Sequence, residues 1–261
     1  VKDYGDNLFQ STAEYYARYR PCYPPALVRF LVQSFSLDGS GRLLDLGSGP
    51  GELCIRLADW FDEVVGMDPE PEMLGVAARR AGTLRIPNAR WIQGKDSDLS
   101  AAHGPLRLAI IATAFHWMDR PRVLETLHGL VSPEGGVAII DHANPPLPAW
   151  NDAIQGVIHR WLGPERKAGN STYTHPTVRH EVVAATSPFR QVEQHTLPPY
   201  EVTRTADEIV GFQFSTSYAS RRLLGENADR FADDLKRALL EINPSGRFTE
   251  QRVATVLVLR K

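Results

Sequence analysis

Between residues 41 and 140, short β-rich apolar runs alternate with runs whose apolar residues recur at helical spacing. This is the pattern of a parallel sheet with helices packed on both faces. Arg42 to Leu46 predicts a first strand closed by a glycine cluster, and Gly51 to Trp60, with Leu53, Leu57 and Trp60 at helical spacing, predicts the helix behind it. Glu63 to Met67 reads as strand two. Pro71 to Ala81 reads as a helix with proline at its entry and Gly82 just past its end. Arg90 to Gln93, Arg107 to Thr113 and Gly135 to Ile140 supply strands three to five, and Asp119 is placed to cap a helix over Arg120 to Leu130.

Beyond Asp141 the alternation stops. Asn144-Pro145-Pro146-Leu147-Pro148 breaks the chain, since paired prolines enforce an extended exit from a strand. An amphipathic run, Ala149 to Leu162, follows, and Arg190 to Leu197 is strand-like. Two helical runs come next, the first opened by Thr205 with Glu208 three residues on, the spacing of a capping box. Arg252 to Leu259 is suited to a buried last strand. The expected fold is α/β: a seven-stranded, mostly parallel sheet with helices on both faces and a helical cap over the active site. Its expected parts are an N-terminal lid segment over residues 1–40, a cofactor-binding core over 41–141, a cap insertion over 142–188, strands completing the sheet within 189–202 and 246–261, and a second cap insertion over 203–245.

Composition narrows the function. The chain has 261 residues, 43% apolar and 23% charged, enough to bury one large core or a core with a smaller cap. Lysine and arginine total 29 against 31 acids, a formal charge of −2, so no basic field is available to collect a phosphate backbone. Cys22 and Cys54 form no CxxC pair, which argues against a zinc knuckle or disulfide framework and for a reducing compartment. The first ten residues are polar and acidic where a secretion signal is basic and then apolar, and no apolar run approaches ~18 residues. A cytoplasmic protein without nucleic-acid or membrane partners is expected.

The candidate chemistry lies at the carboxyl ends of the first four strands, where open α/β sheets bind ligands. Leu43-Leu44-Asp45-Leu46-Gly47-Ser48-Gly49-Pro50-Gly51 runs a strand into three alternating glycines and then a helix, so that a ligand can approach the backbone without meeting a Cβ. The spacing G-x-G-x-G differs from the dinucleotide fingerprint G-x-G-x-x-G, whose turn cradles a pyrophosphate. Asp45, directly ahead of the turn, repels a diphosphate and suits a ligand carrying an ammonium and a sulfonium, which favours S-adenosylmethionine over NAD. Asp68 ends strand two, where a carboxylate reaches ribose hydroxyls. Gln93-Gly94-Lys95-Asp96-Ser97-Asp98-Leu99 offers an acidic turn to an adenine amino group, and Ala112-Thr113-Ala114-Phe115-His116-Trp117-Met118-Asp119 ends strand four.

Together these segments resemble a class I S-adenosylmethionine-dependent methyltransferase of the small-molecule branch with a Phe-His-Trp motif after strand four. Tyr15 to Pro24, reading YYARYRPCYP, resembles that branch's cofactor-covering segment, and DLGSGPGEL, VVGMDPEPEML, GKDSDL and AFHWMD recur in the expected order. The resemblance implies a Rossmann-like fold, with S-adenosylmethionine as donor and S-adenosylhomocysteine as product. It assigns Asp45, Gly47, Gly49 and Gly51 to the methionyl part, Asp68 to the ribose, Pro69 and Met73 to the neighbourhood of the adenine, Asp96 with Ser97 to the adenine edge, and Thr113 to the same cofactor-contacting set.

Aromatic faces such as Tyr15, Tyr16, Tyr19 or Phe115 can stabilise a sulfonium. Arg20, with Arg18, either pairs the methionyl carboxylate or lies at the surface. His116 is the best-placed base, and equally a packing residue between its aromatic neighbours. Asp141 and His142 are reserves, and His175 and His180, five apart, do not share a helix face as metal ligands would. No metal is expected. The expected partner is a small polar acceptor, an amine or hydroxyl, with an amino sugar or antibiotic intermediate as the specific case, and the protein acts as a monomer or homodimer. The competing readings are an NAD(P)-dependent oxidoreductase and a catalytically idle module that binds S-adenosylmethionine.

Overall fold

The computed structural model describes residues 8–143, 148–174 and 176–261. Residues 1–7, the Asn144–Leu147 break and His175 lie outside them. The chain enters through helices α1 (Ala13–Tyr19) and α2 (Pro25–Ser34). The core then runs β1 (Arg42–Leu46), α3 (Glu52–Leu57), β2 (Glu63–Asp68), α4 (Pro71–Thr83), β3 (Ala89–Gln93), β4 (Leu106–Ala112), α5 (Arg120–Leu130) and β5 (Val131–His142). Next come α6 (Asn151–Leu162), the two-residue strands β6 (Lys167–Ala168) and β7 (Ser171–Thr172), α7 (His180–Ala185), β8 (Gln191–Thr196) and β9 (Tyr200–Thr205). Finally α8 (Ala206–Phe214), α9 (Arg221–Leu224) and α10 (Ala228–Ile242) lead to β10 (Arg247–Arg252) and β11 (Ala254–Arg260).

Seven strands form one sheet in the order β3-β2-β1-β4-β5-β11-β8. Only β11 runs against its neighbours, pairing antiparallel with both β5 and β8. Alternate residues of β1 divide the core: Leu43 joins Leu27, Leu31, Leu53 and Leu57 of α2 and α3 on one face. Leu44 and Leu46 join Val123, Leu124 and Leu127 of α5 and Val183 of α7 on the other. A third cluster, built from Ile154, Val157, Ile209, Phe231, Leu235 and Phe248, is the core of the cap. The α1 helix ties cap to sheet. Its Ala13 packs with Met73 and Val76, while the Tyr19 ring occupies the space a side chain on Gly211 of α8 would need, 2.5 Å from the ideal Cβ.

The structure differs from the sequence expectation at several points. Gly82 lies inside α4, and the chain turns only at Arg85, in the left-handed region at φ +55°. Thr113 lies outside β4 at φ +51°. Residues 200–202 and 246–252, expected in the core sheet, pair instead with one another across a separate two-stranded sheet, Tyr200 opposite Arg252 and Arg204 opposite Phe248. That pairing joins segments some forty residues apart, and no local pattern announces it. The last core strand therefore begins at Ala254 rather than Arg252.

Candidate cofactor and acceptor site

The topological switch point falls between β1 and β4, where the glycine turn emerges. Gly47 and Ser48 both donate to the Met67 carbonyl, at 2.8 and 3.1 Å, which fastens the turn to β2. All three glycines have positive φ, but their surroundings differ. A Cβ on Gly47 would stand 2.6 Å from that of Ala114, and one on Gly51 would stand 2.4 Å from the Trp91 indole. These two glycines serve the protein's own packing. Gly49 is different, since its Cβ would meet only Tyr16 Cε1, at 3.9 Å. Of the three positions expected to hold the methionyl part, Gly49 is the one at which the absent side chain leaves room for a ligand.

Two buried carboxylates flank this room. Asp45, 2% exposed, accepts a weak hydrogen bond from Cys54 Sγ at 3.6 Å through Oδ2, and its Oδ1 has no partner. Burial pushes its carboxyl up to about 7, opposed by the Cys54 hydrogen bond and aided by the charges of Asp68 and Glu52. Asp68 accepts from Gly49 N at 2.8 Å and from Glu70 N at 3.0 Å. It holds the turn and keeps its remaining lone pairs for another donor. Burial raises its pKa as well, against those two hydrogen bonds.

The other expected residues divide. Met73 is buried under the N-terminal segment with Ala13, Phe9 and Tyr16 around it. Pro69 is half-buried and accepts from Gln93 Nε2 at 3.3 Å. Glu70 and Glu72, which the sequence reading missed, clip that segment down by accepting from Phe9 N and Ser11 N at 2.8 and 2.7 Å. Asp96 spends one oxygen on Asp119 N, 2.9 Å away, joining the turn after β3 to the turn after β4, and Ser97 is exposed. Tyr15 turns toward the cap, stacked on Tyr19 and edge-on to Phe214, and Tyr16 is the tyrosine over the glycine turn. Arg20 stands 4.6 Å from the Tyr16 ring and donates to Ser215 Oγ and the Ser215 carbonyl, at 2.9 and 3.2 Å. No acid pairs with it among the described residues.

At the end of β4, Thr113 holds its left-handed conformation by donating its N–H to the Ile140 carbonyl at 2.8 Å. A β-branched residue there is strained, and such positions concentrate at functional sites. Its hydroxyl lies 3.4 Å from that of Tyr23, whose ring stacks on His142. Tyr23 was not singled out by the sequence reading beyond its place in the YYARYRPCYP segment.

His116 packs 4.6 Å from Trp117 and 6.0 Å from Tyr173, ring centre to ring centre. It borders a cavity of about 760 Å³ that extends past Asp141 and His142 to Gln194 and Thr255. His180 also faces this cavity, 3.6 Å from Asp141 Oδ2, with Nδ1 at 3.1 Å from Arg120 Nη1. Burial raises Asp141, opposed by the His142 backbone hydrogen bond and the His180 charge. Burial also depresses His142 to about 4, aided by Arg252 and Arg20. Among the described residues no cluster of three or more His, Cys, Asp or Glu is arranged to hold a metal ion, and no helix is long and apolar enough to cross a membrane.

An open doubly wound sheet, with a side-chain-free turn at its switch point and acids ending β1 and β2, defines a nucleoside-cofactor protein of Rossmann-like architecture. Residues 43–135 match the family described as "Methyltransferase domain", and this match, with the structural neighbours that hold S-adenosylhomocysteine, supports S-adenosylmethionine as the cofactor. An uncharacterized methyltransferase of Mycobacterium tuberculosis is 29% identical over 175 residues, covering 67% of this chain and 68% of that protein. A probable S-adenosylmethionine-dependent methyltransferase of Saccharomyces cerevisiae is 27% identical over 142 residues, 54% of this chain and 48% of that protein. Among solved structures, an S-adenosylmethionine-dependent methyltransferase from Geobacter sulfurreducens in complex with S-adenosylhomocysteine aligns with a TM-score of 0.54 at 19% identity, covering 98% of each chain, and shares the fold. The residues suit this donor on their own chemistry. Among the described residues, Gly49 leaves room, Asp45 Oδ1 lacks a partner, and Arg20 lacks an acid.

Proposed function

We propose that the protein transfers a methyl group from S-adenosylmethionine to an amine or hydroxyl of a small polar metabolite seated in the cavity beside His116. The observation that carries the reading is the room at Gly49 beside the unpartnered Asp45 carboxyl, because that pairing accepts a cation and resists a diphosphate. It also disfavours the oxidoreductase alternative. The bound donor supplies an electrophilic methyl on a sulfonium. Asp45 takes the ammonium, Arg20 the carboxylate and Asp68 the ribose, while the face of Tyr16 lies beside the positive charge. His116 removes the acceptor's proton as the new bond forms, and the walls of the cavity hold nucleophile and methyl in line, a geometry able to supply several kcal/mol.

The lining supports an acceptor rich in hydroxyls or amines, since Asp141, Gln194 and Thr255 offer polar groups along it. An amino sugar, as in antibiotic tailoring, is the specific acceptor proposed. The protein works as a monomer or homodimer in the cytoplasm, without nucleic-acid or membrane partners. Mass spectrometry of a metabolite panel incubated with methyl-labelled donor tests the reading, and tight donor binding with no transfer to any acceptor class favours the idle module. His116→Ala is expected to lower turnover at least tenfold while changing the donor's dissociation constant less than about twofold. Equal turnover makes His116 a packing residue.

A further inference from the structure

Basic side chains outnumber acids on the face that β9 and β10 turn toward α8. Arg204, 8% exposed, donates through Nη2 to Glu250 Oε1 at 2.6 Å. Its Nε and Nη1 are buried with no hydrogen-bond partner. Arg252 reaches the same Glu250 oxygen at 3.5 Å. Arg20 also reaches the Phe212 ring, the guanidinium carbons of Arg20 and Arg204 standing 4.7 and 4.8 Å from its centre. Arg204 and Arg252 thus share one carboxylate.

The other nearby acids make no hydrogen bond or ion pair to Arg204 or Arg252 among the described residues, although the Glu208 charge acts on Arg204 from a distance. Glu208 caps α8, with Oε2 at 2.7 Å from Thr205 N. Glu52 holds Tyr23 N at 2.8 Å and Arg56 at 3.2 Å. Tyr200, opposite Arg252 in register, buries a hydroxyl that also lacks a partner. Charge left uncompensated in a buried place costs several kcal/mol, and an anion relieves that cost.

Arg20 lies on the side of Tyr16 and the glycine turn, the place the proposed function gives to the donor's carboxylate. Arg252, which shares Glu250 with Arg204, lies near enough to His142, a residue of the large cavity's wall, for its charge to act on that imidazole, and Ala143 next to His142 donates to the Val253 carbonyl at 2.9 Å. One anion, the donor's own, therefore leaves the second pair in excess. We propose that Arg204 and Arg252 form an anion subsite for the acceptor, which carries a carboxylate or phosphate group in addition to the nucleophile that is methylated. The subsite deepens the methyltransferase reading and rests on it for the identity of its occupant.

The test uses the full chain saturated with S-adenosylhomocysteine and titrated at constant ionic strength with sodium benzoate or inorganic phosphate, with benzamide as the neutral control. Thermal unfolding reports binding. A saturable rise in Tm with at least one anion and none with benzamide is expected. Phosphate alone points to a phosphate ester, and benzoate alone to a carboxylate. Arg252→Gln is expected to weaken the anion at least tenfold, as is Arg204→Met combined with Glu250→Gln, which leaves no acid unpaired; both keep the dissociation constant of S-adenosylhomocysteine. No saturable response to either anion, or a response unchanged in both variants, overturns the subsite. A response that S-adenosylhomocysteine removes by competition places the anion at Arg20 and overturns it too. Failure of S-adenosylhomocysteine to bind refutes the donor reading alone, and the variant titrations still decide the subsite.

Discussion

Asp45→Asn separates the cost of burying a carboxyl from its use. In the folded chain, burial first and neighbouring acids second push this carboxyl from 3.8 to about 7, against the one weak hydrogen bond from Cys54. The unfolded chain releases the proton near the ordinary value, and the folded chain holds it until about pH 7. Stability therefore falls as pH rises through the interval between those values, and the loss is complete above about 7. A difference of about three pKa units corresponds to at most about 4 kcal/mol. Asparagine keeps the shape and cannot ionise, but it leaves a poorly partnered amide costing about 1–3 kcal/mol. The variant is thus expected to be less stable than the parent by about 1–2 kcal/mol near pH 4.5, and more stable by about 2 kcal/mol near pH 8, with a crossing between.

Urea denaturation of the unliganded chain at several pH values reads this directly. Parallel pH profiles for parent and variant would sink the burial argument. The donor supplies the second half of the test. An ammonium placed beside Asp45 ionises it, so binding near pH 6 must release a proton, and the calorimetric enthalpy must vary with the buffer's ionisation heat. In Asp45→Asn that proton release disappears and donor affinity falls at least tenfold, about 1.4 kcal/mol. Binding that releases the same number of protons in both proteins means that the ammonium lies elsewhere.

Gly51→Ala is expected to destabilise the chain by about 1–3 kcal/mol, because the new methyl strikes Trp91 in a left-handed backbone, and Trp91→Leu should recover part of the loss in the double variant. Gly49→Ala, measured by the same denaturation and by donor titration, should cost only about 1 kcal/mol of stability while weakening the donor more than tenfold. Asp68→Ala removes the acceptor of two backbone N–H groups and should lower both stability and donor affinity by more than about 1 kcal/mol each; an unchanged dissociation constant removes it from the ribose site. His142 titrates near 4 when folded and near 6.5 when unfolded, so its neutral burial stabilises the chain above 6.5 and that contribution is lost as pH falls toward 4. In His142→Gln, acid denaturation should lack this loss, and an unaltered acid limb shows that another group sets it.

The core was readable in the sequence because its signals are local. Strands β1 to β4, the Asp119 cap and the Thr205–Glu208 box follow from residues within a few positions of one another, and the structure forms both caps. Apart from element ends such as that of α4, the misses depend on distant packing. Tyr15 and Tyr16 are adjacent on α1 and so point about 100° apart. Only the docking of that helix between α4 and α8 decides which ring meets Gly49. Gly51 reads as a ligand glycine until Trp91, forty residues on, is seen to occupy its missing side chain. The strand over Arg247–Arg252 alternates Phe248 with charged and polar residues, and its inward Glu250 is polar because it faces Arg204, so the apolar rhythm that marks a strand is absent.

Those same distant contacts sort charge along the carboxyl edge of the sheet. Asp45 and Asp68, at the ends of β1 and β2, are buried with little to neutralise them, and their pKa values rise. Nearby, Arg204 and Arg252 share the single carboxylate of Glu250, and burial first, with Arg252 and Arg20 after it, keeps His142 neutral. In a site of low dielectric, such a separation is unfavourable until a ligand of opposite polarity lies along it. A zwitterionic donor whose ammonium meets Asp45 and whose carboxylate meets Arg20, as proposed, runs in that direction, and it still leaves Arg204 and Arg252 with only Glu250 between them. On the proposals made above, the donor relieves the first imbalance and an acidic acceptor the second, so the two ligands neutralise opposite parts of the same site.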